Sequence, residues 1–347
     1  MEGMRMDRRE LLAVAAAALA ASVLPARAQG KPEKARLIVG LGAPASLACL
    51  PLTIADRLGY FASEGLDVDL HDFGGGLRTV QAVQDGGGDI VAGAFEHTIS
   101  LQGRNQPYRA FVMLGRAPQV ALGVSTRNLP SFRSVADLKG RRIGVSAVGT
   151  MSAMVALLVL QRNGLLAQDV QLVEHASPAA AVQAMRAGQL DAISHHEPVM
   201  TLLESRSDVR VIADTRSLRG SQELFGGPVV GPSLYASADF VQKHPQTVQA
   251  VANAVVHALK WLQTAGPSDI IKVVPESYLL GDRGLYLASF NKVREAIATD
   301  GLIPDDGVRT ALRTVTRLDS SFKGERIDLA RTFTNDFSRR AKEKFRA

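Results

Sequence analysis

At 347 residues the chain exceeds a single typical domain of about 150 residues and fits two domains or one two-lobed unit. Its 46% hydrophobic and 21% charged residues exclude a wholly disordered, collagen-like or coiled-coil protein. A net charge of +6 with one Trp and five Tyr gives no basic aromatic surface for nucleic acid, and the lone Cys49 excludes an internal disulfide and any all-cysteine metal site.

The N-terminus reads as an export leader. Arg5, Arg8 and Arg9 precede an uncharged apolar run over 11–24, and Ala26-Arg27-Ala28 matches a cleavage site. The expectation is a signal peptide over 1–28, cleaved after Ala28. The run is short and Ala-rich for a bilayer core of about 30 Å. Arg8-Arg9-Glu10-Leu11-Leu12 fits a twin-arginine signal, with a Sec signal as the alternative. Ser46-Leu47-Ala48-Cys49 resembles a lipid-attachment box but lies well beyond the apolar run, so Cys49 reads as a small buried residue. No later segment reads as a membrane span, and the expected location is a bacterial periplasm.

From Ala35 onward short β-rich runs alternate with helical stretches. Strands are expected at 37–39, at 66–70 where Leu66, Val68 and Leu70 alternate with Asp67 and Asp69, and at 89–91, 110–114, 120–125, 142–146 and 233–237. Helices are expected at 51–63, 77–84 after Gly74-Gly75-Gly76, 153–160, 245–264, 268–274, 282–299, 305–316 and 328–347. Strands separated by helical patterns imply parallel βαβ units and an α/β class. The basic residues of the closing stretch read as a solvated helix face.

One internal repeat is more informative than any single motif. Val80-Gln81-Ala82-Val83, two residues, Gly86, two residues, Asp89 recurs as Val182-Gln183-Ala184-Met185, two residues, Gly188, two residues, Asp191. Each copy reads as helix, glycine stop, acidic turn residue and strand. Each strand leads to a polar cluster, Glu96-His97 in the first copy and His195-His196-Glu197 in the second. Two similar lobes would then offer polar residues at strand carboxyl ends, where open α/β sheets bind ligands.

Several local patterns resemble chemical sites. Gly40-Leu41-Gly42-Ala43-Pro44-Ala45 loosely matches a dinucleotide fingerprint, but Pro44 interrupts it and no helix follows at once. His196-Glu197-Pro198-Val199-Met200 has Met where a zinc-binding helix needs its second His. Glu96, His97, His195, His196 and Glu197 could form a metal site only by converging across a cleft. No nucleophile elbow occurs, and Asp89 and Asp191 read as turn residues rather than a catalytic pair. Gly149-Thr150-Met151-Ser152 and Gly74-Gly75-Gly76-Leu77 each open a helix whose free N–H groups suit a polar or anionic group, simple capping being the alternative.

Several segments together resemble the nitrate/sulfonate/taurine-type solute-binding proteins of ABC importers: Leu50-Pro51-Leu52-Thr53-Ile54-Ala55, Gly59-Tyr60-Phe61, Glu64-Gly65-Leu66-Asp67-Val68, Gly88-Asp89-Ile90, Ser134 to Val145, Gly149-Thr150, Asp191-Ala192 and Glu197-Pro198. The resemblance covers roughly residues 35–262 and is carried by the ordered series. It implies a type II periplasmic-binding fold: two α/β lobes joined by a two-strand hinge, with a ligand cleft between them. Lobe 1 would comprise 35–117 and 218–347, and lobe 2 residues 118–217, with crossings near 118–120 and 214–217 acting as hinges.

The resemblance also implies ligand contacts at Ala45-Ser46, Gly75-Gly76, Glu96-His97, Thr150-Met151-Ser152 and His195-His196, with Arg116 at the hinge edge. A carboxylate at Glu96 repels nitrate or sulfonate unless a cation offsets it, which favours an amine-bearing or heterocyclic organic solute. Histidines in the cleft would make affinity vary with pH between about 5 and 8. The implied partner is an inner-membrane ABC permease, the protein a monomer without cofactor, metal or enzymatic activity. A periplasmic sensor for a membrane receptor is an alternative. So is a thiamine-pyrimidine synthase-like enzyme, although those use a Cys-rich motif and this chain has one Cys.

Overall fold

The computed structural model describes residues 30–347, and the expected leader lies outside them. Its strands are β1 (Arg36–Leu41), β2 (Asp67–Asp72), β3 (Ile90–Ala94), β4 (Tyr108–Met113), β5 (Val120–Ser125), β6 (Arg142–Val145), β7 (Gln171–Glu174), β8 (Ala192–His196), β9 (Val209–Asp214) and β10 (Pro232–Ser237). They form two five-stranded sheets, ordered β2-β1-β3-β10-β4 and β7-β6-β8-β5-β9. Each sheet is the base of one α/β lobe. The β-branched content of β1, β3 and β5 suits strands buried by helices on both faces, and nearly all of their residues are buried.

The expected parallel βαβ units are present in each sheet, joined by strands that run the other way. β1 pairs parallel with β2 and β3, and β6 with β7 and β8, but β10 runs antiparallel to β3 and β4 and β5 antiparallel to β8 and β9. In each sheet the antiparallel strand is the one reached directly from the other sheet. The chain leaves the first sheet after Met113, joins the second at Val120, and returns between Asp214 and Pro232.

The repeat is real in three dimensions. The helices Gly76–Gln84 and Pro178–Arg186 each end at a left-handed glycine, Gly86 (φ 86°) and Gly188 (φ 73°), and lead into β3 and β8. The Asp89 N–H donates to the Ile38 carbonyl and its carboxylate accepts the Ile38 N–H at 3.0 Å. Asp191 does the same with Arg142, at 2.9 Å for each bond. A cation stands beside each carboxylate: Lys34 at 2.5 Å from Asp89 and Arg142 at 3.0 Å from Asp191. Both aspartates therefore lock a turn to the neighbouring strand.

Packing follows the sheets. Leu37, Val39, Ile90, Phe111 and Leu234 meet the long helix Pro245–Thr264 in the larger core. In the second lobe Ala121 and Ile193 face one cluster while Leu122 and Ala192 face another, the two-residue alternation of a sheet covered on both sides. Val120, Met151, Val155, Ala94 and Phe225 form an apolar cluster drawing on both lobes.

Three expected helices are shorter than anticipated. The first breaks at Gly59 into Leu50–Arg57 and Tyr60–Ser63. The 282–299 pattern stops as helix at Val293, because the following backbone is taken up by the first crossing: the Arg116 N–H donates to the Ala296 carbonyl and the Ala298 N–H to that of Leu114. The closing helix starts only at Asp336, because residues 332–334 bond along the edge of β4 at Ala110 instead. Its expected solvated basic face is partly committed, since Lys342 pairs with Asp300 and Lys344 with Glu64. No helix among the described residues is long and apolar enough to cross a membrane.

Burial alone would raise the Asp191 carboxyl, but hydrogen bonds from Arg142 and Asn128 outweigh it and hold the group below the usual range. Its contribution is therefore present above the unfolded carboxyl range and lost as pH falls through the lowered native value. Asp191→Ala is expected to cost about 1.5–3 kcal/mol in urea unfolding at pH 7. A change within about 0.5 kcal/mol, the level of an ordinary surface substitution, would remove the locking role.

Candidate functional site

The cleft lies where strand carboxyl ends of the two sheets face each other. In the first lobe the loop after β1 presents Gly42, Ala43 and Ser46 and leads through the turn Leu47–Cys49 into the helix Leu50–Arg57. A side chain at Gly42 would meet the backbone of Gly75 at 2.8 Å, so glycine lets this loop lie against the glycine-rich turn. β3 adds Ala92, Gly93 and Ala94, and His97 projects from the first turn of the helix Glu96–Gly103. In the second lobe β6 leads through Ser146 to the helix Met151–Arg162, and β8 ends on His195 and His196. Together they enclose about 60 Å³ lined by Ser46, Gly76, His97, Ser146, Thr150, Met151 and His196 among others. A recess of about 360 Å³ continues along Ala45, Ser46, His195, His196 and Glu197.

Most of the expected site residues are thus brought together across the lobes. Ser152 lies just beneath, fully buried: its hydroxyl is 2.8 Å from those of both Ser146 and Thr150 and accepts the Ser146 N–H at 3.0 Å. Gly75 sits at the cleft edge, where a side chain would meet Ala147 of the second lobe at 2.8 Å. Two expected residues stand elsewhere. Glu96 is 2% exposed, does not line either recess, and neither carboxylate oxygen has a hydrogen-bond partner. Arg116 borders a separate recess at the crossings.

The histidines differ in what they can still do. The Gly149 carbonyl can only accept, so His97 Nε2 carries the proton it donates there at 2.8 Å, leaving Nδ1 to accept from the Tyr235 hydroxyl at 2.7 Å. His97 is therefore committed to holding the lobes together. His195 Nε2 donates to the His175 carbonyl at 3.2 Å, and its Nδ1 has no partner. His196 Nδ1 is likewise buried without a partner. Burial pushes His97 and His195 below the usual imidazole range and His196 to about 3. Against the expected histidine titration between pH 5 and 8, desolvation disfavours the charged ring at all three positions, most strongly at His196. Glu96 moves into that window instead, pushed by burial up to about 7.

Further contacts tie the lobes. The Leu47 N–H donates to the Glu197 carbonyl at 3.2 Å, and Arg78 of the first lobe pairs with Glu174 of the second. Directly behind His196, the Glu197 carboxylate accepts the Thr201 N–H and hydroxyl, both at 2.9 Å, and the buried Arg216 guanidinium at 2.7 Å. Arg216 also binds Asp214 at 2.6 Å and Glu204 at 3.0 Å. Burial alone would lower Arg216; the Asp214 and Glu197 carboxylates outweigh it and keep it charged. Arg216 and Tyr235 lie in no sequence motif, and only the fold brings each to its partner. No group of three or more His, Cys, Asp or Glu among the described residues could hold a metal ion, so the histidine–glutamate clusters do not converge as one. Neither recess is lined by Lys or Arg.

Residues 47–267 match the family described as NMT1/THI5 like. A solved structure from Bordetella bronchiseptica RB50 is 46% identical, with a TM-score of 0.90, covering 92% of this chain and 100% of that one. The binding protein YtlA of Bacillus subtilis (strain 168) is 25% identical over 67% of this chain and 68% of its own length. The chain spans about two thirds of the length of the curated relatives it matches. The periplasmic nitrate-binding protein NrtA of Synechocystis PCC 6803 is similar in fold, with a TM-score of 0.67 and 15% identity over 91% of this chain and 90% of that one.

Because the folded protein raises the Glu96 carboxyl, the proton is bound more tightly in the native state. Stability is then greatest below the unfolded carboxyl range and falls as pH rises through about 7. Urea unfolding is expected to show a decline on the order of a few kcal/mol between pH 5 and 8, largely abolished in Glu96→Gln. A variant whose profile matches that of the unmodified protein would contradict the assignment.

Proposed function

The chain belongs to the NMT1/THI5-like family and has the fold of periplasmic binding proteins, and from that premise we propose that it is the solute-binding component of an ABC importer. It works in the periplasm after removal of residues 1–28. The observation that carries the reading is the meeting of strand ends and helix starts from two lobes around one small enclosure. Lobe 1 (35–117 and 218–347) and lobe 2 (118–217) swing about the two crossings. Closure is held by His97 to Gly149, Leu47 to Glu197 and Arg78 to Glu174. The closed form docks on an inner-membrane permease, and ATP hydrolysis by another subunit drives release.

The solute is a small, uncharged organic molecule, with a heterocycle the best fit. Nitrate or a simple sulfonate would need a cation that the lining does not supply. His196, with an unpartnered Nδ1, together with Ser46 and Thr150, offers the directional hydrogen bonds; Met151 and the alanines offer apolar walls. Ala45 and His195 meet the solute at the mouth, while Gly75 and Gly76 let the backbone approach. Glu96 acts from behind as a buried carboxyl rather than as a counter-ion. Burial pushes the Cys49 thiol up to about 11, so it remains protonated, in keeping with a binding rather than a nucleophilic role.

Thermal-shift screening of residues 29–347 against pyrimidines, amines, sulfonates and aromatic acids tests the reading, since a bound solute raises the midpoint by mass action. A neutral heterocycle is expected to give the largest shift. Its affinity should fall about tenfold or more in His196→Ala. Nitrate or an alkanesulfonate as the tightest binder, or turnover of any compound, would overturn it.

A further inference from the structure

A second recess, of about 530 Å³, lies at the crossings and outside the cleft. Its walls come from four parts of the chain: Met113 and Arg116 at the first crossing, Leu218, Ser221 and Val229 on the return, residues 299–300 and 302–305 after the first-lobe helices, and Asn335. Its volume lies in the range of small-molecule sites, about 300–1,000 Å³.

Two groups in it are unsatisfied. The Arg116 guanidinium is half-buried yet forms no ion pair or side-chain hydrogen bond among the described residues, although its backbone N–H is fixed to the Ala296 carbonyl. Ser221 is 1% exposed, and its hydroxyl is buried without a partner. A buried hydroxyl left unmatched costs free energy, and a half-buried cation gains most from a charge-assisted, bidentate acceptor. Two carboxylates also border the recess. Asp300 is committed to Lys342 at 2.8 Å and to the Leu302 N–H at 3.1 Å, and Asp305 sits in the first turn of the helix Asp305–Leu318, where the helix dipole favours negative charge. Leu218, Val229 and Ile303 supply an apolar wall.

We propose that this recess is a second binding site, for a small monocarboxylate with an apolar body, in which Arg116 pairs with the carboxylate and Ser221 donates a hydrogen bond. The site touches both crossings, so its occupant contacts segments whose mutual angle changes if the lobes swing. It requires nothing of the cleft solute's identity.

Phenylacetate is the probe, with uncharged phenylacetamide as control, followed by saturation-transfer NMR and titration calorimetry on residues 29–347. Saturable phenylacetate binding is expected, weakened about tenfold or more in Arg116→Gln, weakened less in Ser221→Ala, and retained in His196→Ala; phenylacetamide should bind about tenfold more weakly. Arg116→Gln removes no ion pair or side-chain hydrogen bond of the fold, so its unfolding midpoint should stay close to that of the unmodified chain. Absence of saturable binding, or equal binding by Arg116→Gln, overturns the inference. Loss in His196→Ala with retention in Arg116→Gln places the acid in the cleft, which overturns the second site while leaving the solute-binding reading in place.

Discussion

β5 and β10 enter their sheets antiparallel, each arriving straight from the other sheet, and the cleft follows from that exchange. The crossings are held to one another by main-chain bonds. The Thr215 N–H and hydroxyl both donate to the Val120 carbonyl, at 2.8 and 2.7 Å, and the Gln119 N–H donates to Thr215 at 3.1 Å. The Gly231 N–H donates to Gly115 at 2.9 Å, and that of Leu114 to Pro232 at 2.7 Å. Buried backbone groups are thereby satisfied where the chain leaves one sheet and has not yet joined the next. Strand ends that would otherwise face solvent are turned toward each other.

Charge is arranged differently at the surface of the cleft and behind it. At the surface the polar groups are hydroxyls, buried imidazoles and backbone amides, with the carboxylates of Asp72 and Glu197 bordering the wider recess. Behind it, Arg216 holds Glu197, Asp214 and Glu204 in one network, and Lys292 of the first lobe joins at Glu204. Breaking a buried ion pair costs more than a surface pair contributes, so this network fixes the strand end carrying His195 and His196 relative to the return crossing. The strand end that carries the cleft's imidazoles is thus held by Arg216, Asp214 and Glu204, which line neither recess.

Much of this was legible in the sequence because local signals and fold agree. The limits expected for β5 and for the helix Pro245–Thr264 coincide with those observed, each marked by a run of one character and clear punctuation. The repeat ending in Asp89 and Asp191 disclosed the pseudo-symmetry of the lobes, since a left-handed glycine and an aspartate bound to the adjacent strand leave a fixed spacing. What sequence could not disclose depends on distant partners. Arg116 sits beside the expected hinge yet opens on another recess, and Arg216 meets Glu197 only through the return of β9. Burial disfavours the charged imidazoles and raises the Glu96 carboxyl to about 7, and no local motif records either effect. The antiparallel strands were hidden because a strand's direction leaves no trace in its own composition.

Closure of two lobes on a solute is a motion that changes distances between them. Spin labels at Gln81 and Ala179, both exposed and on helices of opposite lobes, read that motion by electron–electron distance measurement, with the native thiol at Cys49 buried. A longer, broader distance distribution is expected without solute, and a shorter, narrower one once the compound selected by thermal shift is added. An identical distribution in both conditions, with binding shown by calorimetry in the same sample, would contradict it.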